Sequence, residues 1–362
     1  MFLTAYNLAH YLIAKGLITT QSVVDGDFIL AEAGRRNRNF KVARRKLPGI
    51  FVKQVKTTEP QAIMTIQREA AFYRIITSDP KYAAISGMIP AFLDYDASRH
   101  AVALRLTDNA EGLSELQMRE GTIPEALARS LGQALARIHS FGTIAAADTE
   151  LRPHLPCQIP WPLNIDQAGF GFLSAYGNLG TQLTQAVQQA PKLTAGLTAL
   201  RQAWQFDSLT HGDMKWDNCL LRGDELVIVD WELADLGDGA WDVATIFKEY
   251  IASVLVNRVT REAARTHKTP EPPEVTLETT RPSLRAFWKA YAAGRGFSGP
   301  AADAYLHRAV CFTAARLVVA VLEYSAFAQQ LDSTGRLMLD NASRILEYPH
   351  IAIAQLAGVP AN

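Results

Sequence analysis

The sequence predicts an α+β protein with two lobes, an antiparallel-sheet N-lobe (residues 1–106) and a mainly helical C-lobe (residues 107–362). Three observations predict this class. Short alternating runs, typical of strands, recur through the first hundred residues. Apolar residues at helical spacing predominate further along the chain. Between the two regions lies the polar stretch Thr107–Gly112, which is typical of a boundary.

Composition limits the function classes. The chain has 362 residues, of which 48% are hydrophobic and 20% charged, as in an ordinary globular protein. Its formal net charge is zero, so we expect neither a nucleic acid nor an anionic membrane as partner. The cysteines Cys157, Cys219 and Cys311 lie far apart and lack metal-ligand spacing, so neither a zinc site nor a disulfide framework is expected. A reducing, cytoplasmic compartment fits this pattern.

No segment has the pattern of a targeting or membrane-spanning sequence. The apolar N-terminus, residues 1–13, lacks the basic region of a signal peptide and is predicted to be an amphipathic helix. No uninterrupted apolar run reaches the ~18 residues of a membrane span. The nearest, Leu317–Leu322, is bounded by Arg316 and Glu323 and is predicted to be a core helix.

In the N-lobe, the alternation predicts a hairpin first, from Phe28–Ala31 through a turn at Gly34 to Phe40–Val42. A third strand follows at Ile50–Val55. Apolar residues at helical spacing then predict a helix over Pro60–Thr77. Two further strands are predicted, and they lie at residues 91–95 and 101–106.

In the C-lobe, helices are predicted over Pro124–Phe141 and Thr181–Gln189 and over most of the later chain. Proline is tolerated in the first turn of a helix because that N–H has no helical partner. The prolines at 153–162 indicate an irregular stretch. Thr266–Pro282, with four prolines and mixed charge, is predicted to be a long exposed loop.

The chemistry is predicted to lie in a polar cluster that leads into a hairpin. His211-Gly212-Asp213 is followed by Asn218 and a short apolar strand. A turn at Arg222–Asp224 and a second strand then end at Asp230. We expect this hairpin to return Asp230 towards Asn218, so that carboxylate and amide oxygens converge.

Such a set suits phosphoryl transfer. Mg²⁺ prefers hard oxygen ligands, and a carboxylate can accept the proton of an attacking hydroxyl and orient it. We assign Asp213 as the base and Asn218 and Asp230 as metal ligands. His211 organises the loop. A surface loop beside a strand-end aspartate is the alternative.

The order His-Gly-Asp, Asn218, then Asp230-Trp231-Glu232 resembles the motifs of the aminoglycoside phosphotransferase and choline kinase superfamily, relatives of the protein kinases. The resemblance implies a protein-kinase-like fold, ATP and Mg²⁺ as cofactors, and a hydroxyl as phosphate acceptor. It also implies that Asp242, in the run Gly237-Asp238-Gly239-Ala240-Trp241-Asp242, buttresses the catalytic loop.

A kinase also needs a strand lysine that holds the α- and β-phosphates and a helix glutamate that positions it. Lys53 on the third strand and Glu69 on the following helix have the required order and separation. Lys56 and Glu59 are the competing residues. The alternative is a solvated surface pair.

Two further nucleotide contacts are expected. The turn Gly34–Asn39, which includes Asn37, offers backbone N–H groups that can hold phosphate oxygens, although a plain hairpin turn remains an alternative. The resemblance places the inter-lobe hinge, which offers backbone groups to adenine, at Leu104–Leu106 around Arg105.

The acceptor is the open question. Lys215, two residues after Asp213, resembles the lysine in the catalytic loop of serine/threonine protein kinases, which contacts the transferred phosphate. It could neutralise charge in the transition state, and a solvated lysine is the alternative. A small-molecule hydroxyl is the first expectation, and a Ser or Thr of a peptide is the second. A non-catalytic scaffold is a third possibility, although no motif residue is lost.

Overall fold

The computed structural model describes residues 2–34, 37–167, 170–325 and 328–357. The chain forms two compact units. The first unit contains the residues up to Gly112 together with 146–155 and 218–234, and the second contains 113–145, 156–217 and the residues from 235 onwards. The chain returns to the first unit at Asn218 because the hairpin that follows pairs with the strand at Glu111–Gly112. The functional division at residue 106 stays a prediction.

The strands are short and pair antiparallel throughout. They are β1 (Ile29–Glu32), β2 (Arg38–Ala43), β3 (Ile50–Gln54), β4 (Phe92–Asp96), β5 (Ala101–Arg105), β6 (Glu111–Gly112), β7 (Ser208–Thr210), β8 (Cys219–Arg222), β9 (Glu225–Ile228) and β10 (Asp235–Gly237).

Helices make up most of the second unit. The helices of the chain are α1 (Leu8–Ala14), α2 (Thr20–Val24), α3 (Pro60–Ser78), α4 (Ala83–Ser86), α5 (Leu113–Glu120), α6 (Glu125–His139), α7 (Gly142–Ala147), α8 (Gly177–Gln188), α9 (Pro191–Gln202), α10 (Gly239–His267), α11 (Leu277–Gly294), α12 (Gly299–Ser325), α13 (Ser333–Glu347) and α14 (Pro349–Ala357). The predicted α+β class is confirmed.

The first unit is built on a five-stranded sheet in the order β1-β2-β3-β5-β4. Its central strand, β3, is nearly buried on both faces. On one face its residues pack with α1 in an apolar cluster. On the other face Lys53 is only 3% exposed. α3 begins at Pro60 and buries Glu69 along with its apolar residues, as its helical spacing predicts. The sheet thereby fixes the place of Lys53, and α3 fixes that of Glu69.

A small second sheet in the same unit has the order β6-β8-β9. It contains the hairpin predicted from the motif, with Cys219 opposite Ile228 and Leu221 opposite Leu226. The Val229 N–H donates to the Asn218 carbonyl at 2.9 Å and continues the pairing past the strand ends. The hairpin therefore brings Asp230 back beside Asn218, as expected.

In the second unit α6 packs against α11, and α12 packs against α10 and α13. α12 is long and apolar enough to cross a membrane, judged by length and composition alone. Its most apolar stretch is mostly buried inside the protein, and core helices satisfy the same criteria. The core helix predicted at Leu317–Leu322 is part of α12, and Arg316 interrupts the apolar sequence of this longer helix.

Two element predictions need correction. α8 begins at Gly177, four residues before the predicted start at Thr181. The predicted loop over 266–282 is shorter, because α10 continues to His267 and α11 begins at Leu277 with Pro282 inside it. A capping box between Thr276 and Thr279 starts α11. Burial of its apolar face outweighs the ~3 kcal/mol that an interior proline costs.

Candidate active site

Lys53 is the centre of a charged cluster in the first unit. Its Nζ lies 3.0 Å from Glu69 Oε2, 2.6 Å from Asp230 Oδ1 and 2.8 Å from Glu232 Oε2. The three carboxylates come from α3 and from the turn that follows β9, so distant parts of the chain meet at one ammonium group. The predicted partner of Lys53 is therefore its actual partner.

The competing residues lie elsewhere. Lys56 follows the end of β3 and is exposed, and Glu59 is the exposed residue that precedes the first turn of α3. Glu69, by contrast, is 2% exposed and lies two and a half turns into the helix, on its buried face. The strand and helix geometry thus selects Lys53 and Glu69 from the two candidate pairs.

Asp230 is held in an unusual backbone conformation. Its φ of 65° and ψ of 58° lie in the left-handed region, which residues other than glycine rarely adopt. The buried Tyr73 hydroxyl accepts a hydrogen bond from its backbone N–H at 3.1 Å. Trp231 stacks on Phe72 with ring centroids 4.6 Å apart. These contacts lock the turn and leave the Asp230 side chain 39% exposed.

Three carboxylates around one lysine perturb each other. Burial alone would lower the pKa of Lys53, but Glu69, Asp230 and Glu232 outweigh it and hold that pKa well above its usual value. Burial raises the pKa of Glu69 to about 7; Asp230 and Glu232 add to the rise, while Lys53 opposes it. Lys53 is therefore protonated, and the cluster around it carries more negative than positive charge.

The carboxylates around Lys53 are ligands of the kind that a divalent cation takes. Carboxylate oxygens of Glu69, Asp230 and Glu232 all lie within 4.8 Å of one another. Only hard oxygen donors are offered, which suits Mg²⁺, and the half-exposed Asp230 can reach a ligand that arrives from solvent. Asn218 is 5% exposed, and its role as a second metal ligand stays a prediction.

The expected nucleotide turn is described in part, since Arg35 and Arg36 lie outside the described residues. A Cβ on Gly34 would lie 2.3 Å from the Asn37 carbonyl, so only glycine fits this tight turn. The Asn37 side chain reaches Glu232 at 3.5 Å. This contact places Asn37 beside the Lys53 cluster, while phosphate binding by the turn stays a prediction.

The hinge residues have their N–H groups engaged within the first unit. The Arg105 N–H donates to the Ala91 carbonyl at 2.8 Å, and the Leu106 N–H donates to the Gly49 carbonyl at 3.0 Å. The Arg105 guanidinium contacts the Pro48 carbonyl at 3.3 Å. The adenine contact expected at Arg105 stays a prediction.

The loop of the second unit is held by a buried aspartate. Asp242, in the first turn of α10, accepts hydrogen bonds from the backbone N–H groups of His211 at 2.7 Å and Gly212 at 2.9 Å. Gly212 has a φ of 81°, which favours glycine. His211 is fully buried, and its Nδ1 accepts the Asp213 N–H at 3.2 Å. Asp242 and His211 therefore both hold the backbone of this loop.

His139 completes this support from behind. Its Nε2 lies 3.2 Å from Asp242 Oδ2, and its Nδ1 lies 2.8 Å from the Tyr291 hydroxyl. Burial lowers the pKa of His139. The ring is fully buried and packs in the helical core, so it acts on the loop only through Asp242.

Asp213 lies between two cations. Lys215 Nζ is 2.8 Å from Asp213 Oδ2, and Arg316 Nη2 is 3.0 Å from Oδ1. Burial alone would raise the pKa of Asp213, but Arg316 and Lys215 outweigh it and hold that pKa well below its usual range. Asp213 is thus ionised, and it is better suited to orienting a hydroxyl than to acting as a strong base.

Two of these residues, Glu232 and Arg316, have no role predicted from the sequence. Glu232 stands in the quoted motif, two residues after Asp230, and its spacing was the available signal. Arg316 directly precedes the apolar run Leu317–Leu322. A lone arginine at the edge of such a run was the signal that could have identified it.

Most of the large aromatic residues near the motif and on the later helices lie in the core. Trp231, Trp241 and Tyr291 are at most 3% exposed. Trp216 is also 3% exposed and packs edge-on against Tyr250 with centroids 5.2 Å apart. Trp288 is 8% exposed. These rings stabilise helix packing.

Known proteins resemble the chain over most of its length. The family described as the phosphotransferase enzyme family matches residues 27–287. Protein LicA of Haemophilus influenzae is 32% identical over 79 residues, a match that covers 18% of this chain and 30% of LicA. The chain thus matches less than a third of the length of that relative.

Two solved structures show the fold. Choline kinase from Cryptosporidium parvum aligns over 98% of this chain and 99% of its own, with 12% identity and a TM-score of 0.60. Amicoumacin kinase hAmiN, solved with AMP-PNP, Ca²⁺ and Ami, aligns over 93% and 95%, with 13% identity and a TM-score of 0.53. The predicted kinase-like fold class is confirmed.

Proposed function

Because this chain belongs to the phosphotransferase enzyme family, we propose that it moves the γ-phosphoryl group of ATP, in the presence of Mg²⁺, to a hydroxyl of a small molecule. One observation carries the proposal. Lys53, Glu69 and Asp230 are the residues that the sequence predicts for a nucleotide and its metal. The carboxylates of Glu69 and Asp230 both lie within 3.0 Å of the Lys53 ammonium group. Packing alone does not require a lysine among three carboxylates.

Each unit has a part in the reaction. In the first unit Lys53 is the cation for the α- and β-phosphates, and Glu69 positions it. Asp230, with Asn218 and Glu232 beside it, would hold Mg²⁺, which neutralises charge on the phosphates. In the second unit Asp213 accepts a hydrogen bond from the acceptor hydroxyl. Lys215 is a cation in direct contact with Asp213.

Phosphoryl transfer balances with these groups alone. The acceptor oxygen forms a bond to the γ-phosphorus while the bond from that phosphorus to the β–γ bridging oxygen breaks. The hydroxyl proton passes to Asp213, and ADP leaves. Since the cations beside Asp213 weaken it as a base, it acts mainly by orienting the hydroxyl in line.

The acceptor class is proposed from the relatives. The similar structures are named as kinases of choline and of amicoumacin, both small molecules, and this supports a small-molecule hydroxyl. The fold and the family are compatible with many acceptors. A peptide Ser or Thr is the other outcome to test.

An acceptor screen tests the proposal. Formation of ADP from Mg-ATP is measured with aminoglycosides, amino alcohols, sugars and Ser/Thr peptides, and each is compared with ATP alone. A small-molecule hit supports the proposal, and a hit confined to peptides moves the acceptor to that class. Absence of ATP binding by calorimetry would overturn phosphotransfer and favour a scaffold.

A further inference from the structure

Arg316 in α12 lies where an apolar side chain would be expected. Its neighbours Ala315 and Leu317 are fully buried, and Arg316 itself is 3% exposed. Burying a charge is costly unless it is well paired. Its Nε has no hydrogen-bond partner among the described residues, which adds about 1–3 kcal/mol. Packing therefore does not explain an arginine here.

The contacts of Arg316 converge on the loop that carries Asp213. Its Nη2 lies 3.0 Å from Asp213 Oδ1, and its guanidinium lies over the Trp241 ring, 5.0 Å from the centroid. The Trp241 Nε1–H in turn donates to the Gly212 carbonyl at 3.1 Å. The guanidinium is thus fixed against the ring that also holds the loop backbone.

The two oxygens of Asp213 have different partners. Oδ1 is held by Arg316, whose side chain is 4% exposed. Oδ2 is held by Lys215, whose side chain is 29% exposed and has a flexible four-carbon stem. Lys215 is therefore the more accessible and more mobile of the two cations, and the buried guanidinium is the more firmly held.

We propose that Arg316 is a positioning residue for Asp213: it holds Oδ1, so that Oδ2 is the oxygen that receives the proton of the acceptor hydroxyl. This inference rests on the proposed function. As the acceptor oxygen bonds to the γ-phosphorus and the bridging bond to ADP breaks, the hydroxyl proton moves to Oδ2. The proton then passes to solvent.

The surrounding charges leave this role to Arg316. Lys248 on α10 also faces Asp213, but its Nζ is paired with Glu249 at 2.5 Å and Glu323 at 3.0 Å. Glu323, on α12, repels Asp213 and is drawn to Lys248 and Arg316. Arg316 is therefore the fixed cation that contacts Asp213 directly.

The test compares Arg316→Met with Arg316→Lys. Methionine keeps apolar contact with Trp241 and removes the hydrogen bond to Oδ1. Steady-state turnover of Mg-ATP is measured with the acceptor found by the screen, or with water if none is found. We expect Arg316→Met to lower kcat about 100-fold, as for a misplaced reacting group, with KM for ATP within about twofold. Arg316→Lys should restore part of kcat.

Arg308 supplies a matched control. It lies on the same helix, its Nε is 3.2 Å from Asp238 Oδ2, and it packs over the Tyr305 ring at 4.9 Å. Arg308→Met also breaks an arginine–carboxylate contact on α12, so it should lower the thermal midpoint while keeping kcat. A kcat for folded Arg316→Met no lower than that of Arg308→Met would overturn the inference.

Two further outcomes decide the question. If folded Arg316→Lys is no more active than Arg316→Met, the residue is merely structural and the inference fails. If Arg316→Met does not fold, Arg316→Gln takes its place, and an unchanged kcat in that variant would also overturn it. Failure of the proposed function is seen separately, as a wild-type protein without turnover.

Discussion

At the residue scale, the cluster around Lys53 bears on stability and on the proposed function. Removing one partner of a buried ion pair leaves an uncompensated charge, which typically costs 3–5 kcal/mol, and here three carboxylates share one ammonium. Asp230 in turn adopts a strained backbone conformation that its neighbours enforce. Such strain and charge crowding are typical of functional sites.

Substitution of Lys53 tests its role in nucleotide binding. Lys53→Met should raise KM for ATP at least about tenfold, because the phosphates lose a charged hydrogen-bond donor. It should also lower the thermal midpoint, since Glu69 stays buried without its cation. Lys56→Met, at the exposed competing lysine, is the control and should leave KM for ATP unchanged. Equal effects of the two variants would contradict a role for Lys53 in nucleotide binding.

The pH dependence of turnover tests the charge on Asp213. The ionised carboxylate is the active form, so activity falls as pH drops through its folded pKa. Since Arg316 and Lys215 hold that pKa below its usual value of about 4, turnover should show no acid limb from Asp213 above that value. In Arg316→Met the limb should move to higher pH. A pH profile of kcat for both proteins measures this, and an unmoved limb would contradict the account.

At the element scale, the N-terminal turn of α10 supports the loop that carries Asp213. Asp242 receives two backbone N–H groups of the loop and the ring of His139. Burial alone would raise the pKa of Asp242, but its contacts with His139 and His211 outweigh it and lower that pKa. Its contribution to stability is therefore present above about pH 4 and is lost as the pH falls through the folded pKa.

The variant Asp242→Asn tests this support. An amide cannot accept from both loop N–H groups, so we expect a loss of about 2–4 kcal/mol in the free energy of unfolding and a marked fall in kcat. Asp238→Asn, at the N-cap of the same helix, is the control, because asparagine also caps helices and should leave kcat unchanged. Denaturant unfolding and turnover measure both. A full kcat in folded Asp242→Asn would show that the loop does not depend on α10 for its position.

At the scale of the whole molecule, local patterns were predictable from sequence and remote contacts were not. The alternation of β3 and the spacing of α3 placed Lys53 and Glu69, and the Arg222–Asp224 turn placed the hairpin before Asp230. Arg316 meets Asp213 across 103 positions of sequence, and no local pattern encodes such a pairing. The interior proline of α11 was misread because tertiary packing overrode its propensity.

The proposed function requires that Asp213 and Asp230 serve one phosphotransfer. The most direct measurement follows labelled γ-phosphate from Mg-ATP into the acceptor for the wild type, Asp213→Asn and Asp230→Asn. The wild type should transfer label in a Mg²⁺-dependent manner, and both variants should fold and lose at least about 100-fold in rate. Undiminished transfer by either folded variant, or transfer by the wild type that persists without a divalent cation, would contradict the claim.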